Sequence, residues 1–107
     1  MSKFTLSTDA NHRTVSTTQT VTTTTANYVL KTLGVSGKTL RLANTGNVGL
    51  YYAIAGSTVT ATTNDVFLPA GAVEFVNISR ELDGKRNIGY ITASGSTGLN
   101  IAVGGED

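Results

Sequence analysis

The chain has no cysteine and no tryptophan, and it has a single histidine and a single proline. Without cysteine, a disulfide framework, a thiolate metal site and a cysteine nucleophile are all excluded. Charged residues make up 14% of the sequence and the formal net charge is +1, so there is no electrostatic argument for nucleic acid as a partner. The hydrophobic fraction of 39%, together with this small net charge, excludes the disordered class.

Long apolar runs are also missing. No stretch approaches the ~20 residues that a membrane-spanning helix needs, so we expect no membrane partner. The first six residues, MSKFTL, lack the apolar core of a signal peptide, and we expect the protein to be made in the cytoplasm. With 107 residues, the chain is long enough for one ordinary domain and too short for two.

Residues that could perform catalysis are few. His12 lies in a polar N-terminal segment, and we expect a solvated surface histidine there rather than a member of a catalytic triad. Glu74 lies on an alternating stretch, and we expect it to point outward into solvent. The sequence also contains no metal-ligand motif. We therefore predict no catalytic residue, no metal, no cofactor and no enzymatic activity.

The strongest structural signal is the stretch Lys38–Gly56, KTLRLANTGNVGLYYAIAG. Apolar and polar residues alternate on both sides of the Gly/Asn-rich residues 44–47, which is typical of two strands with a chain reversal between them. We predict a hairpin here, with Leu40 and Leu42 on one face of its first strand. This hairpin is expected to be the central pair of a β-sandwich.

Further alternating or apolar segments lie on either side of this stretch, and turn residues separate them at intervals of about 8–12 residues. They are residues 27–33, 57–65 (a strand or an extended loop), 66–68, 72–79, 87–94 and 98–103. No segment has the period of a helix. We predict one all-β domain, a β-sandwich or jelly roll of about seven to eight short antiparallel strands with an extended N-terminal arm.

Residues 1–26 differ from the predicted β-sandwich body, residues 27–107. Serine and threonine dominate from Ser16 to Thr25, and threonine favours an extended backbone. Two alternatives stay open: an edge strand with a flexible terminus, or an arm that orders against a neighbouring subunit. In the second case the apolar side chains of the segment would be buried in the neighbour; they are Phe4, Leu6, Val15 and Val21.

The stretch 80–87, RELDGKRN, is the most charged part of the chain, and its Asp83-Gly84 pair predicts a tight turn. Mixed charge at the end of a hairpin usually serves solubility, and it can also set the register between subunits. Both interpretations stay open. The candidate contact residues in the second one are Arg80, Glu81, Asp83, Lys85 and Arg86.

Short motifs in the C-terminal two thirds of the chain resemble small structural proteins encoded in the head-gene clusters of tailed bacteriophages. The matching pieces are Asn44-Thr45-Gly46, Tyr52-Ala53-Ile54-Ala55-Gly56, Val59-Thr60-Ala61-Thr62, Leu68-Pro69-Ala70-Gly71 and Ile91-Thr92-Ala93-Ser94-Gly95. These are turn and packing motifs rather than catalytic ones. The threonine-rich N-terminal segment lies outside them.

The resemblance implies a capsid decoration (cement) protein that binds the outer surface of the phage head and stabilises the expanded shell by bridging major-capsid subunits. The expected partner is the major capsid protein, with the chain itself a homo-oligomer (dimer or trimer) on the capsid. The expected location is the virion surface, after assembly in the host cytoplasm. The alternative is a tail, neck or head-fibre component, with glycan binding as an added role.

Overall fold

The computed structural model describes residues 4–35, 37–78 and 86–106, the last residue by its backbone alone. Nine strands lie in these ranges. They are β1 (Phe4–Leu6), β2 (Ser16–Val21), β3 (Ala26–Val29), β4 (Thr39–Asn44), β5 (Leu50–Ala55), β6 (Val66–Leu68), β7 (Val73–Asn77), β8 (Asn87–Ile91) and β9 (Thr97–Glu106). A short 3-10 helix, Leu30–Leu33, lies between β3 and β4.

The strands from β2 to β9 form two antiparallel four-stranded sheets. The first sheet has the order β2-β9-β4-β7 and the second has the order β3-β8-β5-β6. From β2 onward, the chain changes sheet at every connection except the one between β5 and β6, and this winding is that of a jelly roll. The predicted all-β sandwich is confirmed.

The core lies between the two sheets, where alternate residues of each strand point inward. Fully buried large apolar side chains in this layer include Val21 on β2, Leu40 and Leu42 on β4, Leu50 on β5, Leu68 on β6, Ile88 on β8, and Leu99, Ile101 and Val103 on β9. Each one contributes about 1.5–3 kcal/mol when it leaves water. The same alternation sets the register, because a slip by one residue would turn these side chains outward.

The hairpin predicted within Lys38–Gly56 is wrong. β4 pairs with β7 and β9, whereas β5 pairs with β6 and β8, so the two strands lie in opposite sheets. Leu40 and Leu42 do share one face of the first strand, and both are buried. Residues 45–49 therefore form an arch that crosses from one sheet to the other.

Asn44 holds this arch from inside. It is 2% exposed, and its side-chain nitrogen donates to the carbonyl oxygens of Val48 at 2.8 Å and Leu68 at 3.1 Å. Its side-chain oxygen accepts from the Thr97 hydroxyl at 2.6 Å and from the Gly46 N–H at 3.2 Å. The Asn-x-Gly motif makes an arch rather than a hairpin because these partners lie on segments far apart in sequence.

The N-terminal segment lies along one edge of β9. β2 pairs with Thr97–Ala102 and β1 pairs with Gly104–Glu106, while β4 occupies the other side of β9. A tight turn at 9–13 lies between β1 and β2. In the single chain, β1 and β2 are thus paired with its own β9.

The predicted strand 27–33 ends early, at Val29. A 3-10 helix follows because Leu30 and Leu33 are both buried, and residues three apart share one side of such a helix. Gly34 ends the helix with a φ of +76°, a conformation that glycine adopts without steric cost.

The stretch 57–65 is a loop rather than a strand, and it crosses the outer face of the second sheet. The Asn27 side-chain oxygen accepts from the Val59 N–H at 3.0 Å, and Ala61 is buried. A Cβ placed on Gly89 would lie 2.5 Å from the Val59 carbonyl oxygen. The loop therefore approaches the sheet at a point where β8 has no side chain.

Candidate functional site on the flank formed by β6 and β7

Exposed apolar side chains concentrate on one side of the sandwich. β6 and β7 are edge strands of the two sheets and follow each other in the chain. Val66 and Phe67 on β6 are 52% and 48% exposed, and Val73 and Phe75 on β7 are 52% and 55% exposed. We name this side of the sandwich, formed by the two edge strands, the β6/β7 flank. Phe75 lies opposite Arg41 on the outer face of the first sheet, and Phe67 lies opposite Tyr51 on the outer face of the second, so this side of the molecule presents one ring on each face. Aromatic residues are enriched at protein interfaces.

Aromatic contacts fix the two phenylalanines of this flank. The Phe75 ring packs against Phe4 of β1 with centroids 4.9 Å apart, and the Phe67 ring packs against Tyr51 of β5 with centroids 5.0 Å apart. Phe67 also covers Gly49, where any side chain would collide with its ring. Both rings are therefore held in place before a partner arrives, which reduces the entropy lost on binding.

Glu74 lies between Val73 and Phe75 on β7, and the expectation that it points outward is wrong. It faces inward, and its carboxylate accepts a hydrogen bond from the Tyr52 hydroxyl at 2.6 Å. Tyr52 is 4% exposed. Burial, with the neighbouring Glu74 as the second cause, raises the pKa of Tyr52 well above its ordinary value. The hydroxyl therefore stays protonated and keeps donating.

The opposite side of the sandwich repeats this arrangement with a neutral acceptor. β2 and β3 are the edge strands there, and we name them the β2/β3 flank. The hydroxyl of the buried Tyr90 donates to the Gln19 side-chain oxygen on β2 at 3.0 Å. Burial raises the pKa of Tyr90, with Tyr28 nearby as a smaller cause. Each flank thus pairs one buried tyrosine with one inward polar side chain of an edge strand.

A polar row crosses the outer face of the first sheet between these two flanks. Arg41 Nη2 donates to the Asn100 side-chain oxygen at 2.9 Å, and Asn100 Nδ2 donates to the Thr18 hydroxyl at 3.0 Å and the Ser16 hydroxyl at 3.4 Å. Arg41 Nε is buried without a hydrogen-bond partner. The row connects β4, β9 and β2 and keeps the middle of this face polar.

The structure places the N-terminal candidate contacts in different environments. Phe4, Leu6 and Val15 are half-buried, whereas Val21 is completely buried in the core of its own chain. Only Phe4 reaches the β6/β7 flank, through Phe75. Val21 has no surface left with which to contact a neighbour in this arrangement.

The charged candidates lie mostly outside the described residues, which include Arg86 but not Arg80, Glu81, Asp83 or Lys85. Arg86 is half-buried, and its Nη2 donates to the Ile78 carbonyl oxygen at 3.1 Å. Its own carbonyl oxygen accepts from the Leu30 N–H at 3.0 Å. Arg86 therefore connects the end of β7 to the start of β8.

His12 lies in an exposed turn with a φ of +63°. The nearby Asp9 carboxylate accepts the backbone N–H groups of Asn11 at 2.8 Å and Arg13 at 3.1 Å, so it stabilises the turn. Across the described ranges, no group of three or more His, Cys, Asp or Glu side chains could hold a metal ion. In the same ranges, no helix is long and apolar enough to cross a bilayer.

The sequence predictions missed the β6/β7 flank. Two signals were present: Val66 and Phe67 are consecutive, so a strand sends them to opposite faces, and Val73 and Phe75 share a face opposite Glu74. Both signals show that some apolar side chains point outward or toward an edge. Only the strand order shows that these strands lie on the same side of the molecule.

Comparison with known proteins identified no relative of the chain. A scan against protein-family models and searches of curated proteins and of solved structures found no match to the chain.

Proposed function

We propose that the protein is a non-enzymatic structural component of a phage head, a decoration protein that binds the outer surface of the expanded shell and bridges major-capsid subunits. The observation that carries the binding role is the β6/β7 flank, with Phe67 and Phe75 each about half exposed and each fixed by a second ring. The phage assignment comes from the sequence motifs.

Two of those motifs meet in the folded chain. The Asn44 side chain donates to the Leu68 carbonyl oxygen, and the Gly71 N–H donates to the Asn44 carbonyl oxygen at 3.0 Å. The Asn-x-Gly and Leu-Pro-Ala-Gly pieces therefore form one corner of the sandwich, next to the β6/β7 flank. This supports the view that the motifs maintain the scaffold that presents the flank.

The physical logic of such a role needs no chemistry. A protein that binds the expanded shell and not the compact precursor stabilises the expanded state by mass action. Two fixed aromatic rings suit this task, because a few desolvated anchors supply most of the free energy at an interface. A rigid sandwich with exposed apolar anchors therefore fits a decoration role.

The test is co-sedimentation of the purified protein with expanded empty heads and with compact precursor shells. We expect saturable binding of many copies to expanded heads and none to the precursors. The double variant Phe67→Ala/Phe75→Ala is expected to raise the apparent Kd by about tenfold or more for each ring. Val29→Ala is the matched control, because Val29 is an exposed apolar residue (41%) on the other side of the sandwich.

Three results would contradict the proposal. Binding in a few copies at one vertex would favour a tail, neck or head-fibre component. Binding to a glycan array without binding to expanded heads would exclude the decoration role. Equal losses in the double variant and the Val29→Ala control would show that the β6/β7 flank is not the contact surface.

A further inference from the structure

The edge of β2 lacks the protections against pairing with another strand that an edge strand itself can carry. Sheet edges are normally guarded by charge, proline, a bulge, short length or an inward-pointing charged residue. β2, with the sequence STTQTV, has no charge and no proline, and at six residues it is not short. Its pairing with β9 runs without interruption from Ser16 to Val21, so it has no bulge.

The other described edge strands are guarded. β1 and β6 have three residues each and β3 has four, before it continues into the 3-10 helix. β7 has five residues, and its second residue is the inward-facing Glu74. Extending the sheet beyond β7 would bury that carboxylate further from water, which is costly. At the equivalent place on β2, the inward side chain is the neutral Gln19.

We propose that β2 pairs antiparallel with β2 of a second copy of this chain, joining the two first sheets into one continuous sheet. The unprotected edge carries the proposal, and the second copy is the occupant because the strand is complementary to itself. In an antiparallel pair, opposed residues share a face, so a two-fold axis sets one residue opposite its own copy.

We place Thr18 on that axis, because this register pairs all three exposed hydroxyl side chains of β2 with those of the second copy. It sets Ser16 opposite Thr20 of the second copy, which pairs the exposed hydroxyl side chains of the outer face with one another. On the inner face, Thr17 lies opposite Gln19 of the second copy. β2 has no charged residue, so like-charge repulsion does not oppose the pairing.

The paired chains would direct their β6/β7 flanks to opposite ends of the continuous sheet, because β2 and β7 are the two ends of the sheet order β2-β9-β4-β7. A dimer with one binding flank at each end is suited to bridging two neighbouring subunits. The pairing itself does not depend on the proposed capsid role, since it is measured on the isolated protein.

The test is sedimentation equilibrium of the full chain over a range of concentrations. We expect a molar mass that rises from 11.1 kDa to twice that value and no further. Thr18→Lys and Thr18→Glu each place like charges opposite each other and are expected to raise the dimer Kd at least about tenfold. An equimolar mixture of the two variants is expected to recover the dimer, because lysine then lies opposite glutamate.

Thr63→Lys and Thr63→Glu are the matched controls, since Thr63 is an exposed threonine in the turn that precedes β6, on the other flank. Circular dichroism confirms that each variant is folded. A second variant, Gln19→Glu, keeps an acceptor for the Tyr90 hydroxyl but makes β2 resemble β7, and it is also expected to weaken the dimer.

Four results would overturn the proposal. They are a wild-type chain that stays monomeric throughout, an assembly larger than a dimer, Thr18 variants that dimerise like the wild type, and a mixture that stays monomeric. None of these bears on binding to expanded heads, so failure here is distinguishable from failure of the proposed function.

Discussion

The two flanks of the sandwich share one construction and differ in one functional group. On each, a buried tyrosine of the second sheet donates its hydroxyl to an inward side chain on the edge strand of the first sheet. The acceptor is the carboxylate of Glu74 on one flank and the amide of Gln19 on the other. The flank with the carboxylate also has the exposed Phe67 and Phe75, whereas β2 exposes hydroxyl side chains.

This difference shows how an edge strand can expose apolar surface and still resist sheet extension. An inward carboxylate at an edge retains access to water, and a strand added beside it would remove that access. β7 can therefore present Val73 and Phe75 to the face of a partner without offering its backbone. β2 differs in both respects: its outer face exposes hydroxyl side chains instead of apolar ones, and its backbone edge is free to pair with another strand.

Removing β2, the first-sheet strand of the β2/β3 flank, is expected to have the largest effect. Deletion of residues 1–26 removes β1 and β2, takes Val21 out of the core and leaves Tyr90 without its acceptor. The cost is expected to be several kcal/mol, a large share of the roughly 5–15 kcal/mol that stabilises an ordinary domain. Circular dichroism and urea unfolding would measure it, and a truncation product with the unfolding free energy of the full chain would show that β2 is dispensable.

Removing the tyrosine hydroxyl on each flank in turn should show whether the hydrogen bond to the charged acceptor contributes more to stability than the one to the neutral acceptor. Tyr52→Phe is expected to cost about 2 kcal/mol and Tyr90→Phe about 1 kcal/mol, because hydrogen bonds to charged groups are the stronger class. Both residues are nearly fully buried, so the change in apolar contact is similar. Equal losses in urea unfolding at neutral pH would show that the two pairs do not differ in strength.

The stabilisation contributed by the buried tyrosine of each flank should also depend differently on alkaline pH. The pKa of Tyr52 is raised by burial and then by Glu74, and that of Tyr90 by burial and then by Tyr28. The unfolded chain loses tyrosine protons near pH ~10, while the folded chain retains them. The stabilisation is complete below that pH and falls as pH rises through the folded-state pKa values.

Urea unfolding at about pH 8 and about pH 11 measures this fall on the two sides of the unfolded-state value. Tyr52→Phe is expected to reduce the fall more than Tyr90→Phe, because two causes related to Glu74 add to burial at Tyr52. An equal fall in unfolding free energy for the wild type and Tyr52→Phe would show that Tyr52 does not contribute to this pH dependence.

The smallest expected effect on stability comes from Glu74→Gln, the change that makes β7 chemically similar to β2. The amide oxygen still accepts from Tyr52, and we expect a change in unfolding free energy of less than about 1 kcal/mol. Self-association through β7 is expected to increase, because the inward charge is gone and Phe75 is exposed. Sedimentation velocity would show larger assemblies than those of the wild type, and unchanged sedimentation would show that Glu74 does not guard the edge.

Much of the fold could be predicted from local pattern. The alternation that buries Leu40 and Leu42 is visible in the sequence, and so are the turn signals that give the strands their spacing. Strand pairing was not predictable for residues 38–56, because the same Asn-x-Gly turn signal fits a hairpin and an arch. The choice depends on Thr97 and Leu68, which reach Asn44 from distant parts of the chain.

The candidate site was less predictable than the fold. Glu74 lies in an alternating strand whose two faces both contain apolar residues, so periodicity alone does not say which face is buried. The inward position is favoured because it aligns Val76 and Ile78 with the core, and Tyr52 then supplies the hydrogen bond that makes the carboxylate tolerable. Tyr52 lies 22 residues from Glu74 in the sequence, so the local pattern does not reveal this partner.

By itself, the sequence determined that this protein is an all-β domain with inward and outward residues in alternation, because the period of side chains along a strand is a local property. The tertiary structure alone decided which strands became edges and which side chains met across the sheets. It set Glu74 beneath one edge and Gln19 beneath the other. That difference arises from contacts between strands distant in sequence, and local pattern carries no information about them.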